Sequence, residues 1–371
     1  MTDLSKRKFL RSAGIGAAGV AAATTLATPA LSQNKVQMRF VTTFPKMFPG
    51  LGTSARRLTD RINLATDGRV EVKLYDRGAL VPGGVGVFDA VAAGNADMYY
   101  SSEYYHPSKS QAYNIYGAVP FGMTTPEVYA WLQYGGGQEL WDELHAGFNM
   151  KPFAGPSTGV QMGGWFNKPI KSLDDMRGVK FRMPGIGGEV LRSVGVAVVN
   201  LPGSEVFAAL QSGAIDGAEW VGPWHDLAFG FHKVVKHYHW PGFHEPGNIG
   251  SYGINLDFWK TVSDADKQII TGLMEAECHV QTAEYNGASP PALDKLLTEH
   301  GVQLHQYPDE VLLELAKASR DVMENLAAGD EMTGRVWESY KAFRKQSMVW
   351  SKLGIQGFLN AREMTEEALK G

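Results

Sequence analysis

Two residues set the chemistry this chain could do, Arg182 and Glu219, each at the end of an apolar run. Arg182 closes Gly178-Val179-Lys180-Phe181-Arg182 and is followed by Met183-Pro184-Gly185. Pro184 and Gly185 force a turn, which predicts a guanidinium left at the mouth of a strand. A planar fork of donors suits a carboxylate held by two parallel hydrogen bonds. A surface arginine or a structural ion pair is the competing reading. Glu219, between Ala218 and Trp220, would oppose an anion and so needs a cation partner. Gln161, read within a strand from Gly159 to Trp165, and Glu245, in Gly242-Phe243-His244-Glu245-Pro246-Gly247, are further oxygen donors. Two carboxylates, an amide oxygen and a backbone carbonyl make a hard-cation set, suited to Na+ or Ca2+ rather than zinc. Spacing alone fits separate structural roles equally well.

Other chemistries find less support. His225, His232, His237, His239 and His244 fall within twenty residues. In a strand His237 and His239 share a face, as a transition-metal pair would. No cysteine or further carboxylate stands at ligand spacing with them, and packing is the competing use. No nucleophile elbow, phosphate loop, dinucleotide fingerprint or zinc-protease motif is present. Gly83-Gly84-Val85-Gly86 and Gly185-Ile186-Gly187-Gly188 precede predicted helices and could meet an anion there, yet they match no phosphate motif.

The elements that must position these residues alternate. Gln37 to Thr43, Arg69 to Tyr75 and Ala96 to Ser101 read as strands, with helices from Gly50 to Ala65 and Val85 to Ala93 between them. A second series repeats the pattern. Its strands are Val179 to Met183, Val196 to Asn200 and Ile215 to Trp220; its helices are Gly187 to Val194 and Ser204 to Ser212. The series echo each other at an offset of 119 positions: Val87-Phe88-x-Ala90, Gly94, Asp97 and His106 recur as Val206-Phe207-x-Ala209, Gly213, Asp216 and His225. Two α/β lobes present strand ends across one crevice, where such sheets bind ligands. Those ends carry Tyr99 to Tyr104 in one lobe and Glu219 to Trp224 in the other. The remaining third reads as helical. Ser263-x-x-Asp266 opens a helix to about Tyr285, Pro308 starts another, and Thr333 to Leu353 carries Val336, Tyr340, Phe343, Ser347 and Trp350 on one stripe.

With 371 residues, 44% apolar and 20% charged, the chain can form two cored domains. The first thirty residues carry a net +3, so the remainder stands near −7, which argues against nucleic acid. Cys278 is the single cysteine and reads as a packing thiol. The start, Ser5-Lys6-Arg7-Lys8-Phe9-Leu10-Arg11, precedes an Ala/Gly-rich apolar stretch and the small residues of Thr28-Pro29-Ala30. This predicts an export signal similar to a twin-arginine signal, with Lys6 where the first arginine is usual. A retained membrane anchor is the alternative.

The block Phe181-Arg182-Met183-Pro184-Gly185-x-Gly187-Gly188-Glu189-Val190, with Phe207-x-Ala209-Leu210-Gln211-x-Gly213-x-Ile215-Asp216-Gly217-Ala218-Glu219-Trp220, resembles the solute-binding subunits of tripartite ATP-independent periplasmic (TRAP) transporters. Gln161, Glu219-Trp220 and the Pro241 to Gly247 segment look like the branch that binds 2-oxo acids or lactate with a metal ion. The resemblance implies an α/β, two-lobed periplasmic-binding-protein-like fold with a central ligand cleft and a helical C-terminal section spanning the lobes. It implies Arg182 on the substrate carboxylate and Asn200 as a polar ligand contact. It also implies Tyr104 and Trp224 as cleft walls, and one hard cation held by Gln161, Glu219, Glu245 and the main chain of Trp220. The expected division is a signal over 1–32, lobe one over 33–155 completed by part of 246–305, lobe two over 156–245, and a return segment with long helices over 246–371. The expected partners are a small carboxylate, TRAP permease membrane subunits and a second copy through the C-terminal helices. The expected place is the periplasm. An exported enzyme acting on a small carboxylic acid, or a sensory protein binding one, are the rival functions.

Overall fold

Parallel strands joined by helices leave their carboxyl ends on one edge, and this chain does so twice. The computed structural model describes residues 35–82, 86–199, 201 and 203–370; the expected signal, residues 1–32, lies outside them. Among the described residues there are two sheets. The first runs β2-β1-β3-β10-β4, built from β1 (Val36–Thr42), β2 (Val70–Leu74), β3 (Met98–Ser101), β4 (Met150–Gly159) and β10 (Asn248–Asn255). The second runs β11-β9-β5-β8-β6-β7, from β5 (Gly164–Phe166), β6 (Lys180–Arg182), β7 (Ala197–Val199), β8 (Gly217–Ala218), β9 (His237–Trp240) and β11 (Gln303–Gln306). In each sheet three strands of one series lie parallel, β2-β1-β3 and β7-β6-β8, and an antiparallel strand follows.

The repeat seen in sequence is a repeat of hydrogen bonds. Gly94 and Gly213 adopt φ of 72° and 71° after their helices, a region open to glycine. Asp97 then takes the backbone N–H of Arg39 on one carboxylate oxygen and gives its own N–H to the Arg39 carbonyl. Asp216 does the same with Lys180. Each aspartate fixes the register of its strand against the neighbour, so Val41 and Arg182 hold equivalent strand-end positions.

The chain crosses between the sheets at 160–163 (β4 to β5), at 241–247 (β9 to β10), and through the helix Asp264–Thr298. That helix was expected to stop near Tyr285, yet it continues through Pro290 and Pro291 for 35 residues. Packing at both ends outweighs the hydrogen bonds the prolines forgo. Its first half lies on β4 and the helix Leu51–Ala65, where Arg57 pairs with the buried Glu277 at 2.5 Å; Leu296, near its end, sits in the core under the second sheet. Cys278 is buried. In the helix Glu331–Ser351, Val336, Trp337 and Tyr340 are buried and Phe343 packs against the same core, whereas Trp350 is 72% exposed, so the expected stripe divides.

Candidate functional site

A cavity of about 920 Å3 opens between the sheets. Thr43, Ser102 and Tyr104 line it from the ends of β1 and β3, and Arg182, Glu219 and Trp220 from the ends of β6 and β8. The expected strand at Ile215 to Trp220 is only two residues long, because the chain turns out of the sheet after Ala218. The Glu219 N–H still donates to the Arg182 carbonyl (3.1 Å), while the Val221 carbonyl accepts from Met162 (3.0 Å). Trp220 is thereby held over the cavity rather than within a ladder.

Arg182 is buried and committed on three sides. Nη1 donates to the Glu219 carbonyl (3.1 Å) and Oε2 (3.3 Å), Nε donates to the Leu201 carbonyl (3.3 Å), and the guanidinium lies 5.3 Å from the Trp220 ring centroid. Of the rival readings from sequence, the ion pair is present, and the same side chain lines the cavity. Gln161 lies in the first crossover, not within a strand as its neighbours predict. Glu245 lies in the second. The crossovers are bonded together: Gln161 N–H to the Glu245 carbonyl (3.3 Å), Gly242 N–H to the Gln161 carbonyl (3.0 Å), and Gln161 Nε2 to Glu245 Oε2 (2.6 Å). Only glycine fits at 242, where a Cβ would stand 2.2 Å from the Gln161 carbonyl oxygen.

The electrostatics of this corner are unbalanced. Burial and the nearby Glu219 charge push the Glu245 carboxyl well above the usual carboxylate range, with Arg182 pulling the other way. Gln161 Oε1 is buried with no hydrogen-bond partner. Both ring nitrogens of buried His244 also lack one, and its Nε2 stands 3.5 Å from Glu219 Oε1. A pair of buried carboxylates facing one guanidinium, with an orphaned amide oxygen beside them, is a donor set that a hard cation fits. Among the described residues no group of three or more His, Cys, Asp or Glu could hold a metal, so the fit rests on the mixed set.

The other site expectations divide. Tyr104 lines the cavity. Trp224 is not among the lining residues: its ring packs on His225 and Tyr285, because the turn at Gly222-Pro223 carries it onto the long helix. Tyr99, Tyr100 and Glu103 are core residues, leaving Ser102, Tyr104 and Tyr105 at the cleft. Asn200 lies outside the described residues. The His237 and His239 pair is a packing pair. His239 Nε2 accepts from the Ile170 N–H (3.0 Å) and burial pushes it down to about 3, while His237 Nδ1 meets His305 Nε2 at 2.9 Å. Sequence reasoning passed over Phe48. This residue of the first lobe packs against Trp220, His225 and Phe229 of the second, and only its place in Phe44-Pro45-x-x-Phe48-Pro49 hinted at exposure.

Comparison with known proteins adds to this geometry. Residues 49–330 match the bacterial extracellular solute-binding protein family 7. A monocarboxylate 2-oxoacid-binding periplasmic protein of Nostoc is 37% identical over 96% of this chain and 98% of its own length. A TRAP periplasmic solute-binding protein of Pseudoalteromonas atlantica, solved with sodium and pyruvate, is 32% identical with a TM-score of 0.84, covering 88% of this chain and 99% of that one. One from Bordetella bronchiseptica is 29% identical with a TM-score of 0.86, covering 91% and 99%; it was solved as a dimer with calcium and picolinate in the active site of one copy.

Proposed function

Because the chain belongs to family 7 of the bacterial extracellular solute-binding proteins, and so is a transport receptor and not an enzyme, we propose that it captures a small 2-oxo monocarboxylate or lactate together with one sodium or calcium ion. The orphaned Gln161 Oε1 beside Glu245 and the Arg182–Glu219 pair is the observation that carries this reading. Arg182 takes the substrate carboxylate, and Tyr104 and Trp220 bound it, with Asn200 a further polar contact. Gln161, Glu219, Glu245 and the Trp220 carbonyl hold the cation, which neutralises the carboxylates and lets an anion sit beside them. A 2-oxo or 2-hydroxy oxygen next to the carboxylate gives the acid a second point of attachment. The sodium–pyruvate relative and the calcium–picolinate relative support a hard cation paired with a chelating acid.

We assign lobe one to 33–155 with part of 246–305, lobe two to 156–245, and the return segment and C-terminal helices to 246–371. Binding across both lobes draws them together, a shift in a pre-existing equilibrium. TRAP solute-binding proteins deliver small carboxylates to membrane permease subunits, and this chain does so from the periplasm after export by a twin-arginine-like signal. A second copy covers the apolar face of Trp350, Leu353 and Phe358, exposed by 72%, 72% and 64%. Titration calorimetry with pyruvate, in sodium or calcium buffer and after chelation and dialysis into choline salts, tests the core of the reading. Affinity should collapse without the cation; unchanged affinity sinks the cation role.

A further inference from the structure

Behind Trp220 lies a carboxylate that the reading above does not use. Asp226, in the helix Pro223–Phe229, is 1% exposed and accepts three hydrogen bonds. Its Oδ2 takes Tyr238 Oη (2.6 Å) and Trp165 Nε1 (2.8 Å), from β9 and β5. Its Oδ1 takes the backbone N–H of Val221 at 3.3 Å. That N–H belongs to the same planar peptide unit as the Trp220 carbonyl. The unit is trans, the Trp240–Pro241 bond being the only cis peptide among the described residues. In a trans unit the N–H and the C=O point in opposite directions. Asp226 therefore fixes the Trp220 carbonyl facing away from itself, while the bonds of Glu219 N–H to Arg182 and of Val221 carbonyl to Met162 prevent the segment from rotating. The hydrogen bond on the N–H also polarises the peptide and raises the electron density on its carbonyl oxygen. Tyr238 and Trp165 are rigid aromatic donors stacked at 4.0 Å between centroids, so Oδ2 is held twice, by Trp165 even without Tyr238, and Oδ1 is left for Val221.

We propose that Asp226 is the positioning residue of the cation site: it aims and polarises the Trp220 carbonyl as a ligand, and does not touch the ion. The inference rests on the cation reading of the cleft. It follows the general behaviour of metal sites, in which groups bonded to the ligands set affinity.

Trp220-Val221 is the single Trp-Val pair in the chain. Protein carrying carbonyl-labelled tryptophan and amide-labelled valine therefore gives one carbonyl-to-amide NMR correlation, from this peptide alone. In the wild type, calcium chloride with pyruvate should move that signal. Asp226→Asn should shift the signal in the absence of ion, because an amide cannot accept from Val221, Trp165 and Tyr238 together, and calcium affinity should fall by about 10- to 100-fold. Tyr238→Phe removes a bond to the same carboxylate without touching the peptide; it should lower stability and leave calcium affinity much closer to the wild type. Equal affinity losses in the two variants, or wild-type affinity in Asp226→Asn, overturn the proposal. So does a wild-type signal that stays still while calcium binds, a result available even if Asp226→Asn does not fold. Wild-type protein that binds neither sodium nor calcium overturns the cation reading as well.

Discussion

The lobes share one scaffold and put different chemistry on it. In each, an aspartate at the start of the central pair of strands takes the neighbouring strand's N–H, and a glycine with positive φ precedes it. Past those common residues the strand ends diverge. Val41 and Tyr100 in lobe one stand where Arg182 and Glu219 stand in lobe two. Lobe one buries Tyr100 in its core and offers Phe48, Ser102 and Tyr104 to the cleft; lobe two offers a buried ion pair. Charge is therefore concentrated where the two crossovers, with Gln161 and Glu245, can complete it. Lobe one adds Arg77 to the cavity lining, away from the ends of β1 and β3.

Breaking the charged side should have the largest effect. Arg182→Met removes the guanidinium and leaves Glu219 and Glu245 buried against each other. Pyruvate affinity by calorimetry should fall at least ~100-fold. Normal binding would mean that the arginine serves only the carboxylates. Acid should come next, acting on the contact between lobes. His225, the repeat partner of His106, is bonded through Nε2 to the Pro49 carbonyl (2.6 Å) and the Tyr285 hydroxyl (2.7 Å), and burial pushes its pKa down to about 4. A base held below its ordinary value near 6.5 contributes stability that is complete above pH 6.5 and is lost as pH falls towards 4, by roughly 3 kcal/mol at most. Urea midpoints for the wild type should drop across that window and those of His225→Asn should drop less; parallel curves would remove His225 from the account. The smallest effect belongs to the aromatic contact from lobe one. Phe48→Ala removes the ring set against Trp220, His225 and Phe229 and should raise the release rate of pyruvate about tenfold in stopped flow, leaving the association rate nearly unchanged. An altered association rate instead would place Phe48 in the encounter.

Much of this was legible in the chain. Both α/β series and the convergence of Arg182, Glu219, Gln161 and Glu245 on one corner follow from local pattern and from resemblance. What escaped depends on distant partners. Gln161 sits in an apolar run that looks like one strand, and only the departure of the chain to the other sheet shows it to be a crossover. The helix read as ending near Tyr285 runs on through Pro290 and Pro291, because the packing that carries it comes from β4 on one side and Leu296 on the other. Resemblance implied Trp224 as a cleft wall, but past the turn at Gly222-Pro223 its ring packs on His225 and Tyr285. Asp226 was silent for the same reason: its three donors come from residues 165, 221 and 238.

The helix Asp264–Thr298 has a mechanical consequence. At 1.5 Å per residue its 35 residues reach roughly 50 Å, and it is rooted in the packing of both lobes. A strut of fixed length forbids the lobes to slide apart, so opening must be a rotation. Its contacts with the second lobe begin at Tyr285, against Trp224 and His225, and continue past the two prolines to Leu296. The substrate's entry path is thus a swing about one side of the molecule, and the aperture it sees is set by an angle.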